Sequence, residues 1–282
     1  MTYLRPFTAA GVGTAGTVVV FPPSGAGCLR LRSVVPALPP GTGLLGVQLP
    51  GREDRLPEPA ATSLAEVVTA VAAELRAFAP PGPLAFLGIS LGAVIAYEVA
   101  GDLADAAPAA LVVAAARAPE YWSGYPAADP PAAEVAALLP PEVRDSALAP
   151  YALASMRADL RLMAGYRPAA APLDRTCLRT VSGARDDIAT TEQMSGWRQR
   201  ATDFRGHRVV DAGHHAFMDG DVLAGLVTEA AAQASAERAS TERASAERAS
   251  VDRTATEPAA TESAAVGAAA TEPAVAERAV RG

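Results

Sequence analysis

The residues with the clearest chemical potential are a serine flanked by glycines. Residues 88–92 read G-I-S-L-G and follow the apolar run 84–87. A G-x-S-x-G pattern in this context places the serine on a sharp strand-to-helix turn, where the neighbours two positions away must be small. The turn exposes the hydroxyl, and the following helix offers backbone N–H groups to a developing oxyanion. The pattern predicts that Ser90 is a nucleophile.

A serine needs a base to take its proton, and the chain has three histidines: His207, His214 and His215. In enzymes with this serine turn the chain order is serine, then an acid, then histidine. The adjacent pair follows the predicted strand 208–210, where such a histidine is expected, whereas His207 precedes it and is expected to be a surface residue. We favour His214 because it directly follows Gly213, and His215 stays open as the alternative.

The acid is expected at the end of the strand before the histidine loop. Residues 177–181 predict that strand, and they run into a turn that contains Asp186 and Asp187. We favour Asp186, with Asp187 as the alternative, although most aspartates in such turns only cap or shape the loop. The carboxylate would hold the imidazole tautomer and stabilise the imidazolium without being protonated itself.

A second oxyanion donor is expected in the glycine-rich segment 21–27, F-P-P-S-G-A-G, which follows the first strong strand. The backbone N–H groups of Ser24 and Leu91 would together form the oxyanion hole. The segment lacks the Gly-Lys-Ser/Thr of a phosphate loop and the spacing of a dinucleotide fingerprint. Cys28 and Cys177 are far apart and have no metal-ligand spacing. We therefore expect neither a cofactor nor a metal.

Short β-rich runs alternate with helical patterns, which predicts a mainly parallel central sheet flanked by helices. Together with the serine turn, this alternation indicates the α/β-hydrolase fold. The helix 64–78 begins with a predicted capping box of Ser63 and Glu66. The predicted strands are 17–21, 44–49, 84–87, 110–115, 177–181 and 208–210, and the other predicted helices are 91–101, 191–200 and 222–232.

Two further segments divide the chain. Residues 118–168 show no strand pattern and many prolines, with helical patches at 134–139 and 150–166. An insertion of this kind between core strands predicts a helical lid, although a packed excursion without gating is the plainer alternative. We expect one catalytic domain over residues 1–232 and a low-complexity, disordered tail over 233–282, since its five-residue repeats lack large apolar side chains. A solvated helix through the Glu-Arg repeats is the alternative.

The net charge and the hydropathy indicate where the protein is located and which classes of partner it does not bind. The net charge is −7, which argues against a surface that follows nucleic-acid phosphates. Residues 1–10 do not resemble a signal peptide, and no run of 18 apolar residues predicts a membrane helix. We expect a cytoplasmic protein that binds neither nucleic acid nor membrane.

Four segments together resemble the type II thioesterases that accompany polyketide and nonribosomal peptide synthases. Residues 21–25 are similar to that family's F-P-x-A-G motif, and residues 48–55, Q-L-P-G-R-E-D-R, to its Q-x-P-G-R-E-x-R segment. Residues 156–159 with Tyr166 are similar to its R-A-D…Y lid pattern. The likeness, which includes the predicted triad, extends from residue 17 to about 230. It implies hydrolysis of acyl or aminoacyl thioesters on the phosphopantetheine arm of a carrier protein.

The chain departs from the family pattern at two positions. Ile89 stands where the family has histidine, and we expect it to make the pocket more apolar. Residues 213–217 read G-H-H-A-F where the family has G-G-H and two aromatics, so placing His215 as the base would align Phe217 better. Three alternatives stay open: capture of the acyl-enzyme by an internal nucleophile, giving cyclisation or transfer; a general esterase; and a non-catalytic carrier-protein binder.

Overall fold

Seven strands form one sheet in a computed structural model of the chain, which describes residues 3–8, 13–80, 82–126 and 130–255, with side chains up to 247. The strand order is β1-β3-β2-β4-β5-β6-β7, and only β1 pairs antiparallel. The predicted mainly parallel α/β-hydrolase sheet is confirmed. The strands are β1 Leu4–Pro6, β2 Gly16–Phe21, β3 Thr42–Val47, β4 Leu84–Ile89, β5 Ala110–Ala114, β6 Leu173–Gly183 and β7 Ala201–Val210.

The helices lie between these strands and after the last one. Helix α1 has the predicted bounds, and the Ser63 side chain accepts the Glu66 N–H at its start. The helices are α1 Leu64–Phe78, α2 Leu91–Leu103, α3 Ala132–Ala137, α4 Pro141–Arg144, α5 Ala149–Leu162, α6 Thr191–Met194 and α7 Gly220–Ala255. Short 3₁₀ helices occupy Leu29–Ala37, Glu53–Arg55, Ala104–Ala106, Pro119–Trp122, Ser195–Gln199 and His214–Met218.

The strands β1, β6 and β7 and one 3₁₀ helix differ from the sequence-based expectation. Strand β1 was not predicted because it has only three residues and takes its place from pairing with β3. Strands β6 and β7 extend well beyond 177–181 and 208–210, since their pairing continues through polar and exposed residues that give no apolar signal. The 3₁₀ helix Leu29–Ala37 was not predicted, since its three residues per turn do not give the 3.6-residue apolar period of an α-helix.

The core lies in two layers, one on each face of the sheet. One layer packs the sheet against α1 and α2, with Val71, Val94 and Trp197 among its buried residues. The other packs the sheet against α7 and the helix Leu29–Ala37, with Leu31 and Leu226 among its members. Because both faces are covered, the central strands are continuously apolar, as parallel strands in such sheets usually are.

The segment predicted as a lid forms a small helical unit between β5 and β6. Helix α3, the residues that follow it and helix α5 share a separate apolar cluster of Val135, Leu139, Met156 and Leu160. Residues 127–129 of the predicted segment 118–168 lie outside the described residues. The helical character of the insertion is as expected, and its gating role stays a prediction.

Helix α7 continues past the domain boundary expected at residue 232. Ala234 is buried, Ser235 donates a hydrogen bond to the Ala15 carbonyl, and Glu237 pairs with Arg205 at 2.9 Å. The chain divides into two compact units after Ser240. Residues 233–255 are thus helical where we expected disorder, because Ala, Glu and Arg favour helix even without core contacts. Residues 256–282 lie outside the described residues, and their disorder stays a prediction.

Two truncations should locate the functional end of the domain. Removing residues 241–282 should leave the melting temperature unchanged, since the first compact unit ends at Ser240. Removing residues 233–282 should lower the melting temperature by several degrees, because it deletes buried Ala234 and the Glu237–Arg205 pair. Thermal unfolding of both proteins beside the full chain checks this. Equal melting temperatures for the two truncations would contradict the boundary at Ser240.

Candidate active site

Ser90 occupies a strained turn between β4 and α2. Its backbone has φ 53° and ψ −124°, a left-handed conformation that costs a residue with a side chain free energy. The Ser90 N–H donates to the Ala114 carbonyl of β5 at 2.9 Å, which fixes the turn to the neighbouring strand. The structure therefore has the backbone geometry that the G-x-S-x-G pattern predicts.

The two glycines of the pattern are required by close contacts. A Cβ on Gly88 would lie 2.3 Å from the Ala93 Cα, and one on Gly92 would lie 2.2 Å from the Phe21 carbonyl oxygen. Neither position has room for a side chain. The contact at Gly92 also presses the start of α2 against the chain that leaves β2, which brings the serine turn beside the loop of Ser24.

His214 lies between Ser90 and Asp186. Its Nε2 atom is 3.1 Å from the Ser90 Oγ, and its Nδ1 atom is 2.9 Å from the Asp186 Oδ2. The His214 side chain is 10% exposed and that of Asp186 is fully buried. The other carboxylate oxygen accepts the N–H groups of Ile188 and Ala189 at 2.9 and 2.8 Å. Each oxygen of Asp186 thus has a fixed partner, and one of them is the imidazole.

The backbone beyond β6 and β7 brings the acid and the histidine together. Past the last strand pair, the Ala184 N–H donates to the Val210 carbonyl and the Arg185 N–H to the Ala212 carbonyl, at 2.8 and 3.0 Å. A Cβ on Gly183 would lie 2.3 Å from that same Ala212 oxygen, so this close approach requires glycine. The sequence around Gly183 does not indicate this contact, because its partner Ala212 lies on a different loop.

The alternative residues lie outside this row of hydrogen bonds. The ring of His215 packs edge-on against His214 with centroids 5.6 Å apart, and burial lowers the pKa of His215. Asp187 is exposed. His207 is exposed on the edge strand β7, as expected, although its ring nitrogens bond to the Thr180 and Ser182 hydroxyls at 2.7 and 3.0 Å. The structure therefore groups Ser90 with His214 and Asp186.

The predicted oxyanion donors follow the ends of the neighbouring strands β2 and β4. Leu91 is the first residue of α2, and Phe21 pairs with Gly88 where β2 and β4 end. Since residues 22 and 23 are prolines and have no N–H, Ser24 supplies the first N–H after Phe21. The placement agrees with a hole formed by the N–H groups of Ser24 and Leu91, which stays a prediction.

Three polar side chains that we did not predict hold the loop of Ser24. Asp159 accepts the Gly25 N–H at 2.8 Å, Gln48 accepts the Cys28 N–H at 2.9 Å, and Glu53 accepts the N–H groups of Cys28 and Leu29. Gln48 and Glu53 lie in segment 48–55 and Asp159 in segment 156–159. The only sequence signal for them was the family motif that each segment resembles.

Our expectation for Ile89 was wrong. The Ile89 side chain is 1% exposed and packs in the core layer between the sheet and α7, with Leu87 and Val20. Alternate residues of β4 point to opposite faces of the sheet, and Ile89 points to the face that packs against α7. It fills the core and leaves the polarity of the substrate side unchanged.

Two classes of site have no candidate in the part of the chain that the structure describes. Within residues 3–8, 13–80, 82–126 and 130–255, no three His, Cys, Asp or Glu side chains are grouped so that they could hold a metal ion. In the same ranges no helix is both long enough and apolar enough to cross a membrane.

Comparisons with known proteins point to one family. The family model described as "Thioesterase domain" matches residues 16–233. The AMB antimetabolite synthetase AmbE of Pseudomonas aeruginosa is 30% identical over 235 residues, which are 78% of this chain but 10% of AmbE. Thioesterase TesA of Mycobacterium leprae is 31% identical over 188 residues, 63% of this chain and 71% of TesA. The type II thioesterase BorB, from the borrelidin biosynthetic cluster, superposes with a TM-score of 0.69 at 26% identity, covering 81% of this chain and 97% of BorB.

Substituting the adjacent histidines should separate their roles. The His214→Ala variant should lose about 10³-fold or more in turnover, because it removes the only imidazole that contacts the Ser90 Oγ. The His215→Ala variant is the matched control and should lose less than about tenfold, since the hydrogen bonds to Ser90 and Asp186 are made by His214 and the two imidazole rings are packed at about a right angle. Single-turnover acylation of both variants measures this. A collapse in the His215 variant alone would assign the base to His215.

Proposed function

Because the chain belongs to the thioesterase domain family, we propose that it is a serine thioesterase with a Ser90–His214–Asp186 triad. Its substrates would be acyl or aminoacyl thioesters on the phosphopantetheine arm of carrier proteins in polyketide or nonribosomal peptide biosynthesis. The observation that carries the proposal is the unbroken row of hydrogen bonds from the Ser90 Oγ through His214 to buried Asp186.

In the first half-reaction Ser90 would attack the thioester. Its Oγ forms a bond to the carbonyl carbon while the His214 Nε2 takes the hydroxyl proton. The carbonyl oxygen becomes an oxyanion, which the N–H groups of Leu91 and Ser24 stabilise. The tetrahedral intermediate then expels the thiolate of the phosphopantetheine arm, and the imidazolium returns the proton to it. The product is an acyl-enzyme ester on Ser90.

In the second half-reaction water would release the acid. The same imidazole takes a proton from a water molecule, whose oxygen attacks the ester carbonyl, and the proton passes to the Ser90 Oγ as the ester bond breaks. Asp186 keeps the Nδ1 proton of His214 in place and stabilises the imidazolium in both halves. Because the Ile188 and Ala189 N–H groups donate to the Asp186 Oδ1, the carboxylate keeps its orientation toward the imidazole.

The substrate class and the partner come from the relatives. BorB is a type II thioesterase from a biosynthetic cluster, and PikA5 of Streptomyces venezuelae is a thioesterase 32% identical over 190 residues. A carrier protein bearing a phosphopantetheine thioester is therefore the partner we propose. A cytoplasmic location, as expected from the sequence, is part of the same proposal.

The alternatives are less well supported. Capture of the acyl-enzyme by an internal nucleophile depended on a more apolar pocket at Ile89, and that side chain lies in the core. A non-catalytic carrier-protein binder would have no use for the hydrogen-bonded row at Ser90. A general esterase would share the triad but would not need the carrier protein, and the comparison of substrates below distinguishes it.

Intact-mass spectrometry of acylated carrier proteins tests the proposal. The wild-type chain should remove the acyl mass and leave the free phosphopantetheine thiol, and it should do so faster than it cleaves an oxygen ester of the same acid. The Ser90→Ala variant should remove the acyl group at least about 10³-fold more slowly while keeping its melting temperature. Retention of the acyl mass with wild-type protein, or equal rates for Ser90→Ala, would contradict the function.

A further inference from the structure

A buried ion pair joins the predicted lid to the body of the molecule. The Arg52 Nη2 lies 2.6 Å from the Asp159 Oδ1, and its Nη1 lies 2.7 Å from the Asp159 Oδ2. The two side chains are 6% and 2% exposed. Arg52 follows β3 and Asp159 lies on α5, 107 residues further along the chain. A two-point arginine–carboxylate contact of this kind fixes both direction and distance.

The same pair contacts the loop that carries Ser24. The Asp159 Oδ2 accepts the Gly25 N–H at 2.8 Å, and the Arg52 Nη1 donates to the Ala26 carbonyl at 3.2 Å. Gly25 has φ +75°, and a Cβ there would lie 3.5 Å from the Met156 Cβ of α5. The loop therefore lies against α5, with a donor and an acceptor of its backbone bonded to one ion pair.

We propose that Asp159 is a positioning residue for the oxyanion hole, an inference that rests on the proposed function. Two prolines restrict the backbone immediately before Ser24, since proline fixes φ. The backbone after Ser24 has no such restriction, and there the Gly25 N–H is held by the Asp159 carboxylate. With both sides fixed, the Ser24 N–H stays directed at the position of the oxyanion. Arg52 balances the charge that makes Asp159 a strong acceptor.

This arrangement gives α5 two roles. Its residues belong to the apolar cluster of the lid, and its Asp159 belongs to the support of the catalytic loop. Helix α5 is thus part of the catalytic scaffold, and a rearrangement of the lid that separated Asp159 from Arg52 would release the loop of Ser24. The Asp159 carboxylate thus connects the lid helix to the loop of Ser24.

The Asp159→Asn variant tests the inference, and Glu58→Gln is its matched control. Glu58 also forms a two-point contact with a buried arginine of the same segment, Arg55, at 2.9 and 2.6 Å. Both variants change a carboxylate to an amide beside a buried guanidinium, but only Asp159 holds the loop. For an acyl-N-acetylcysteamine thioester, kcat/KM should fall about 10- to 100-fold in Asp159→Asn, less than the loss for a deleted oxyanion donor. It should stay within about twofold in Glu58→Gln.

Inhibitor affinities separate positioning from a merely structural role. A trifluoromethyl ketone with the same acyl group adds to Ser90 and places a charged oxygen in the hole, so its affinity should fall by the same factor as kcat/KM. The amide analogue of the substrate has no such charge, and its affinity should stay within about threefold in every variant. Partial unfolding would lower the number of active sites and would not change the ratio between the two inhibitors.

A double variant keeps the test decisive if Asp159→Asn fails to fold. Arg52→Met/Asp159→Leu removes both buried charges together, a replacement that proteins often tolerate. It deletes the acceptor for the Gly25 N–H, and we expect the same parallel loss in kcat/KM and ketone affinity. Wild-type values in the folded double variant would overturn the positioning role while leaving the proposed function intact. Failure of the wild-type chain to hydrolyse the thioester would overturn both.

Discussion

Ser90 can present its hydroxyl beyond the end of β4 only because its backbone is left-handed and the residues two positions away have no side chains. The contact distances make this requirement specific: a methyl group at position 92 would overlap the carbonyl of Phe21, and one at position 88 would overlap α2. The turn therefore cannot relax away from β2. Its strain is held by the strand pairing on both sides of β4.

The rest of the site follows from where parallel strands end. Strands β2, β4, β6 and β7 all reach the same edge of the sheet, so the loops that follow them meet there. Ser24 lies on the loop after β2, Ser90 on the turn after β4, and Asp186 and His214 on the loops after β6 and β7. Backbone hydrogen bonds between the last two loops bring the acid within 2.9 Å of the imidazole. Side-chain contacts from segment 48–55 and from α5 then hold the loop after β2.

Features with a local signal could be predicted from the sequence. Helix α1 begins at a serine that caps it and shows a clear apolar periodicity, and the serine turn has its glycines at fixed offsets. The chain order expected after such a serine turn left two adjacent pairs as candidates, His214 and His215 for the base and Asp186 and Asp187 for the acid. The two candidates in each pair are adjacent, so a shift of one position in the loop would exchange them. The structure groups Asp186 and His214 with Ser90.

Features that depend on distant contacts could not be predicted in this way. The pair of Arg52 and Asp159 joins two ordinary polar residues 107 positions apart, and nothing in their neighbours indicates a buried contact. The Ile89 side chain was assigned to the pocket because of its place beside the nucleophile, whereas the alternation of β4 directs it into the core. The composition changes near residue 232, and this change alone predicted the end of the folded domain. Helix α7 nevertheless continues, because its residues favour helix and because Ala234 and Glu237 contact the domain.

Peptide mapping after reaction with a fluorophosphonate probe tests the central claim that Ser90 is the nucleophile. Cleavage after arginine releases residues 77–117 as one peptide, which contains Ser90 as its only serine and has neither threonine nor cysteine. We predict stoichiometric addition of the phosphonyl mass to this peptide in the wild-type chain, and none in the His214→Ala variant over the same time. An adduct on any other peptide, or no adduct on the wild-type chain, would contradict the claim.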